Sequence, residues 1–310
     1  MQTTRYANYE LSRLMLGTVQ FGLPYGVANR TGQPSYAEAR AMVAAALEGG
    51  VNCFDTAAAY GSSEDVLGRV LQELGAAGRA VVVTKVRALT AEELANATLA
   101  ARAIEQSVAE SRRRLRLDCL PVVLFHSESD ARYLEVLTRL QATGWIGHAG
   151  VSCDHRPGPA ATFAAQPAVN ALQLPANLLD RRHVQGGSLA AAVAHGVAVF
   201  VRSVYLQGLL LMPEAAIPEP LRAVVPVRRR LTAIAESAGL SLAELAVRYL
   251  LGLEGVTCVL VGVETVAQVR ENVALFSRGP LSDDARQAVD AAVPELPELI
   301  ITPGLWNRTK

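Results

Sequence analysis

Cysteine is scarce in this sequence and widely spread. The 310 residues hold four of them, Cys53, Cys119, Cys153 and Cys258, and no two form a C-x-x-C pair. That spacing excludes a cysteine zinc site and gives no sign of a disulfide framework, so the thiols are expected to be reduced. Charge is also low, at 19% of residues, and of neither sign in excess: 29 basic side chains balance 29 acidic ones. The basic runs extend no further than Arg112–Arg114 and Arg228–Arg230, which leaves no electrostatic footprint for nucleic acid or an anionic membrane. Apolar runs stay below the roughly 18 residues of a membrane span, and MQTTRYANYELSRLMLG at the N-terminus lacks the order of a secretion signal. Together these absences predict a cytoplasmic protein whose partner is a small molecule; no feature sets an oligomeric state. One more motif is missing. No G-x-G-x-x-G follows any strand candidate, although an open dinucleotide-binding sheet is expected to carry one.

What is abundant is buried-type sequence: 51% of residues are hydrophobic. Short β-branched runs alternate with longer segments rich in Ala, Leu, Glu and Arg. Strands are predicted over Leu14–Gly17, Asn52–Thr56, Ala80–Lys85, Leu120–His126, Gly147–Ser152, Ala168–Gln173, Val197–Ser203 and Cys258–Gly262. Runs such as AVVVTK and VAVFVRS are apolar at successive positions, as in parallel strands buried on both faces. Helices are predicted over Tyr36–Glu48, Ser63–Leu74, Ala91–Leu115, Asp130–Thr143, Ser188–His195, Leu242–Leu250 and Val266–Ser277. Length alone allows one domain or two. Eight βα units of roughly 30–40 residues and no linker favour an α/β fold, a single-domain (β/α)8 TIM barrel spanning residues 1–310. The segment Leu206–Val225, with Pro213, Pro218 and Pro220, is expected to form a long loop over the barrel mouth.

Chemistry in such a barrel sits where strands end at the C-terminal face. Asp55 closes VNCFD, Lys85 closes AVVVTK and His126 closes LPVVLFH, while Tyr60 follows Asp55 in the same loop. Taken singly, the Asp can be a helix cap, the His a hydrogen-bonded structural residue and the Tyr a packing residue. A lysine that ends an apolar strand is harder to place without a carboxylate partner, and Asp55 on the adjacent strand is the natural one. An ammonium about 4 Å from a phenol at an effective dielectric of ~20 favours phenolate by ~4 kcal/mol, which predicts Tyr60 shifted from about 10 to about 7. His126 could then donate a hydrogen bond to a substrate oxygen held by Tyr60. This is a proton-transfer device for reducing a carbonyl or oxidising an alcohol. No hydrolytic nucleophile–base pair and no metal-ligand spacing is present: His148, His155, His183 and His195 read as surface or capping residues.

With these residues in place the chain resembles the aldo-keto reductase superfamily over essentially its whole length. Leu16-Gly17-Thr18, Phe54-Asp55-Thr56-Ala57, Tyr60-Gly61-Ser62-Ser63-Glu64, Leu67-Gly68, Thr84-Lys85 and Leu124-Phe125-His126 match the superfamily's signatures in order. The resemblance implies a catalytic tetrad of Asp55, Tyr60, Lys85 and His126 in a (β/α)8 barrel that binds NADP(H), less often NAD(H). It implies hydride transfer from nicotinamide C4 to a carbonyl carbon and a proton from Tyr60. It further implies cofactor contacts from Gly17, Thr18, Ser152 and Gln173, with Asn177 beside them. Cys153 stands where the family usually has Asn, and Arg202 where many members stack an aromatic on the nicotinamide. Arg202, Ser203, Gln207 and Gly208 belong to a motif that wraps the pyrophosphate. Gly262, Glu264, Gln268, Glu271 and Asn272 match the adenosine-binding loop and helix.

Many NADP-preferring members place a basic side chain in this last region. This chain has Gly262 and Gln268 at the usual basic positions and a carboxylate, Glu264, in the loop. That carboxylate suits a ribose 2′-hydroxyl better than a phosphate, or simply caps a helix. Family habit puts NADP(H) ahead, with NAD(H) close behind. The expected activity is reduction of an aldehyde, ketone or sugar carbonyl, or the reverse. Gln20, Phe21, Tyr25 and Trp306 are expected at the mouth as substrate residues. The alternatives are a non-catalytic, cofactor-binding regulatory or redox-sensing barrel, and an enzyme carrying a Schiff base on Lys85.

Overall fold

The computed structural model of the chain describes residues 1–26, 29 and 32–309. It opens with an antiparallel hairpin that no sequence motif announces. Strand β1 (Thr3–Tyr6) pairs with β2 (Tyr9–Ser12) in the register Thr3↔Ser12. The hairpin belongs to the barrel's interior packing: Tyr6 and Leu11 join Met15, Cys53, Val81, Val122 and Phe200 in one buried cluster, and the Tyr6 hydroxyl donates to the Asn170 carbonyl at 3.1 Å. Burying Leu11 alone contributes roughly 2 kcal/mol to closing this end of the barrel.

The eight strands that follow are β3 (Leu14–Gly17), β4 (Cys53–Asp55), β5 (Val81–Val86), β6 (Leu120–Phe125), β7 (Ile146–Ser152), β8 (Ala171–Pro175), β9 (Ala198–Arg202) and β10 (Val256–Gly262). All are parallel, and β10 pairs back onto β3 to close the barrel. The α/β barrel read from the sequence is therefore the fold, with strand ends displaced by a few residues. Alternate residues explain the continuous apolar runs. Met15, Cys53, Val83, Leu124, Ala171, Phe200 and Cys258 fill the interior, while Leu16, Phe54, Val82, Val123, Leu172 and Val199 pack outward against the helices. Because side-chain direction repeats every two residues, the next inward positions toward the C-terminal ends are Asp55, Lys85, His126, Gln173 and Arg202. The polar site is thus the top layer of the barrel interior.

Two helical expectations change. The segment Ala91–Leu115 is two helices, Ala91–Ala95 and Ala97–Leu115, broken where Asn96 leaves helical geometry and its side chain accepts from Thr98 N and Leu99 N. Asp130–Thr143 begins as 3₁₀ turns over Glu128–Tyr133 before the α-helix Leu134–Ala142. Helices also cover Pro157–Ala164, Val225–Ser237 and Asp283–Ala292, which the apolar pattern does not mark out. The Leu206–Val225 segment is irregular as expected, with short 3₁₀ turns at Leu206–Gly208, Glu214–Ala216 and Glu219–Val224. Buried Arg228 ties it down by donating to the Met212 carbonyl at 2.6 Å.

Candidate active site

Lys85 and Asp55 form a buried ion pair. Lys85 Nζ lies 2.7 Å from Asp55 Oδ1 and also donates to the Thr56 carbonyl at 2.9 Å. Burial works against the ammonium, but the Asp55 carboxylate and Tyr60 outweigh it and hold Lys85 above its ordinary value. Asp55 Oδ1 accepts a second bond, from Gln173 Nε2 at 2.7 Å. Gln173 therefore reaches across the barrel to fix the carboxylate, and its carbonyl oxygen is the atom left for a ligand amide.

Tyr60 sits in the loop after β4, and glycine contacts hold that loop in place. Gly61 adopts a positive φ of 55°, and a Cβ on Gly22 would fall 1.8 Å from the Tyr60 carbonyl oxygen. No side chain fits there without moving the loop that carries Tyr60. Gly22→Ala is accordingly expected to cost about 1–3 kcal/mol and to lower turnover more than its stability loss explains, read from thermal melts and steady-state rates. Beneath the loop, Ser63 Oγ donates to the Thr18 carbonyl at 2.7 Å and meets Thr56 Oγ1 at 2.9 Å. Thr18 belongs to this scaffold: its fully buried hydroxyl donates to the Asp55 carbonyl at 2.8 Å. The expectation that Thr18 touches cofactor is corrected, since its polar atoms are engaged inside the protein and it does not line the cavity described below.

The His126 ring meets Tyr60 edge-on, with centroids 5.7 Å apart at 80°. Lys85 Nζ is 5.0 Å from the centre of the Tyr60 ring. Burial, followed by the nearby Lys85 and Arg202 charges, lowers His126 to about 4, so the imidazole is neutral at pH 7. Tyr60 departs from the sequence expectation of about 7. Burial raises its phenol above the ordinary value, and the opposing pull of Lys85 does not overcome it. Loss of water around the phenol outweighs the neighbouring ammonium. At neutral pH Tyr60 therefore holds its proton.

These groups open on a cavity of about 750 Å³, within the range of small-molecule sites. Its lining includes Tyr60, His126, Ser152, Gln173 and Arg202 at and after the barrel strands, and Gly262, Glu264, Gln268, Glu271 and Asn272 from the end of β10 and the helix Val266–Ser277 that follows. Gly17, Ser203, Gln207 and Gly208 lie along it, as do Gln20 and Tyr25. Lys85 lies beneath the floor. Phe21 and Trp306 do not face the cavity, which corrects their expected substrate role: Phe21 is turned into the core, and Trp306 packs on the core with Nε1 donating to the Leu299 carbonyl at 2.7 Å. Lining residues that sequence reasoning missed include Asp154 and Met212. Asp154 was within reach, because it is the second residue after Ser152 at a strand end.

The wall after β9 is conformationally unusual. Ser203, Leu206 and Gln207 have φ of 67°, 48° and 51°, followed by Gly208 at 93°. Left-handed backbone at non-glycine residues costs roughly 1–3 kcal/mol each, so surrounding contacts must hold it. Asn177 Nδ2 donates to the Ser203 carbonyl at 3.1 Å, and Leu206 is buried. Gly262 is cramped in another way: a Cβ there would lie 2.8 Å from Gln20 Nε2. The Gln20 Oε1 atom is buried without a partner, an acceptor on the cavity wall that a ligand donor could satisfy. Among the described residues no cluster of His, Cys, Asp or Glu is arranged to hold a metal, and no helix is long and apolar enough to cross a membrane.

Known proteins share this architecture. The holo form of an aldo-keto reductase from Bacillus halodurans superposes with a TM-score of 0.78 at 23% identity, covering 97% of this chain and 99% of that one. The glycerol dehydrogenase of Gluconobacter oxydans gives 0.76 at 25% identity, over 95% and 97% of the two chains. A probable voltage-gated potassium channel subunit beta of Arabidopsis thaliana is 24% identical, over 89% of this chain and 92% of that protein. The sequence profile of the Aldo/keto reductase family matches residues 13–294. This chain belongs to the aldo/keto reductase family.

Proposed function

We propose that the protein is a nicotinamide-dependent oxidoreductase that reduces an aldehyde, ketone or sugar carbonyl to the alcohol, or runs the reverse reaction. The observation that carries this reading is Tyr60 on the cavity wall, protonated at neutral pH, with a buried Lys85–Asp55 pair beside its ring and neutral His126 at its edge. A nicotinamide bound in the cavity would supply the hydride. The chain's own groups handle the proton. Tyr60 and His126 donate to the carbonyl oxygen and orient it, and the Tyr60 proton passes to that oxygen as negative charge develops there. Lys85 stabilises the phenolate left behind. Asp55 holds Lys85 in place, and Gln173 holds Asp55.

The cavity composition suits an extended dinucleotide. Ser152 and the Gln173 carbonyl oxygen would meet the nicotinamide amide, the Ser203–Gly208 wall the pyrophosphate, and the Glu264–Asn272 region the adenosine. Around this region the lining holds two carboxylates, Glu264 and Glu271, and no Lys or Arg among the described residues. A 2′-phosphate would meet like charge there, whereas a 2′-hydroxyl could donate to a carboxylate. This local charge favours NAD(H) over the NADP(H) usual in the family. Glu264→Lys is expected to improve NADPH affinity relative to NADH about tenfold, measured as the ratio of dissociation constants; an unmoved ratio removes the role given to Glu264.

The test of the reaction class is oxidation of NADH or NADPH by the purified protein with a panel of aldehydes, including small hydroxylated ones because one structural neighbour is a glycerol dehydrogenase. Turnover supports the proposal. Tight cofactor binding without turnover on any carbonyl would favour a regulatory barrel instead, the reading that the channel-subunit relative keeps in view. A visible chromophore linked to Lys85 would point to Schiff-base chemistry.

A further inference from the structure

Arg202 ends β9 at the next inward position after Phe200, which puts its guanidinium at the reacting end of the cavity. Nη2 donates to the Cys153 carbonyl at 2.9 Å and Nη1 reaches Ser203 Oγ at 3.4 Å. Both partners are neutral, and among the described residues no carboxylate forms an ion pair with it. The other cation of this end, Lys85, is neutralised by Asp55 at 2.7 Å. The guanidinium therefore stands at the reacting end held by two hydrogen bonds to neutral groups, with the Asp154 carboxylate on the same cavity wall but not in an ion pair with it, and its charge reaches the site: it disfavours protonated His126 and favours Tyr60 phenolate.

Only one part of a nicotinamide cofactor changes charge in the reaction. The ring is a pyridinium with one positive charge when oxidised and neutral when reduced, while its phosphates carry the same charge in both states. We infer that Arg202 makes the site discriminate between redox states, holding the reduced cofactor more tightly than the oxidised one and biasing the protein toward carbonyl reduction. This rests on the proposed function, in which the nicotinamide lies at the Tyr60–His126 end. The electron balance is that of hydride transfer: two electrons and a proton leave the reduced ring for the carbonyl carbon, and Tyr60 gives the second proton to the oxygen. A positive product ring at this end would be repelled by the Arg202 guanidinium, which would favour its release. At an effective dielectric near 20, partly screened by solvent, such a repulsion supports roughly a tenfold preference.

The experiment is equilibrium binding of NADH and NAD⁺, and of NADPH and NADP⁺, to the wild-type protein, Arg202→Gln and Arg202→Lys, with melts to confirm folding. The ratio of the oxidised to the reduced dissociation constant cancels the phosphates and isolates the ring. It is expected to fall about tenfold in Arg202→Gln, equivalent to about 30 mV for a two-electron couple, and to be retained in Arg202→Lys. In the wild-type protein, added salt should narrow the ratio. A ratio unchanged in Arg202→Gln, or indifferent to salt in the wild type, overturns the inference while turnover on aldehydes leaves the proposed function standing. If neither redox form binds, both fall together.

Discussion

Replacing Tyr60 by phenylalanine should lower the turnover number for carbonyl reduction by about three orders of magnitude while leaving the melting temperature and cofactor affinity close to wild type. The phenylalanine ring preserves the edge contact with His126 and the approach of Lys85, so packing is kept and only the transferable proton is lost. The pH dependence gives the second half of the test. Tyr60 lies above its ordinary value and His126 near 4, so across the neutral range the phenol is protonated and the imidazole neutral. Reduction needs that phenol and should show a flat profile through neutrality; alcohol oxidation needs the phenolate and should speed up as pH rises. That rise should vanish in Tyr60→Phe. A reduction rate that falls steeply between pH 7 and 8 would show that Tyr60 has lost its proton there, contrary to its burial. Below neutrality the sign reverses for stability: the unfolded chain protonates His126 near 6.5 while the folded site resists until about 4, so acidification across that window destabilises the protein.

Most of this machinery is legible in the sequence because two simple periodicities act together. Strands buried on both faces read as unbroken apolar runs, so Val81–Val86 and Leu120–Phe125 mark themselves, and a polar residue near the end of such a run, in step with its inward-facing positions, lies at the mouth. Asp55, Lys85 and His126 follow from that rule, and Gln173 and Arg202 obey it too. Charge, by contrast, misled the reading of Tyr60, because a sequence shows which groups are neighbours but not how much water they lose. Loop direction is equally hidden. Gln20 and Phe21 are adjacent residues of one 3₁₀ turn, yet only Gln20 faces the cavity while Phe21 fills the core. The N-terminal hairpin escaped because its strands are four residues each, with exposed and buried positions mixed. The helix Asp283–Ala292 was recoverable: Ser282 caps it, and Asp283 and Asp284 occupy its first turn, the usual signal of a helix start.

Lys85→Met should be at least as damaging to turnover as Tyr60→Phe, and unlike that variant it should also destabilise the fold. The Lys85 side chain has no exposed surface and that of Asp55 is 4% exposed, so removing the ammonium strands a carboxylate in the barrel with Gln173 as its remaining side-chain donor among the described residues. Breaking a buried pair from one side costs about 3–5 kcal/mol, which should appear as a marked fall in melting temperature. The catalytic loss has a different origin. Without the ammonium, Arg202 is the cation left to favour the Tyr60 phenolate among the described residues, so proton transfer becomes uphill and the rise of alcohol oxidation moves to higher pH. The double variant Asp55→Asn/Lys85→Met separates the two effects. Removing both charges relieves the stranded carboxylate and should recover much of the stability, because a buried pair replaced on both sides is far less costly than one broken. Turnover should stay low, since Tyr60 still lacks its cation. Recovery of turnover together with stability would mean that Lys85 serves only to hold the fold and that the activation of Tyr60 arises elsewhere.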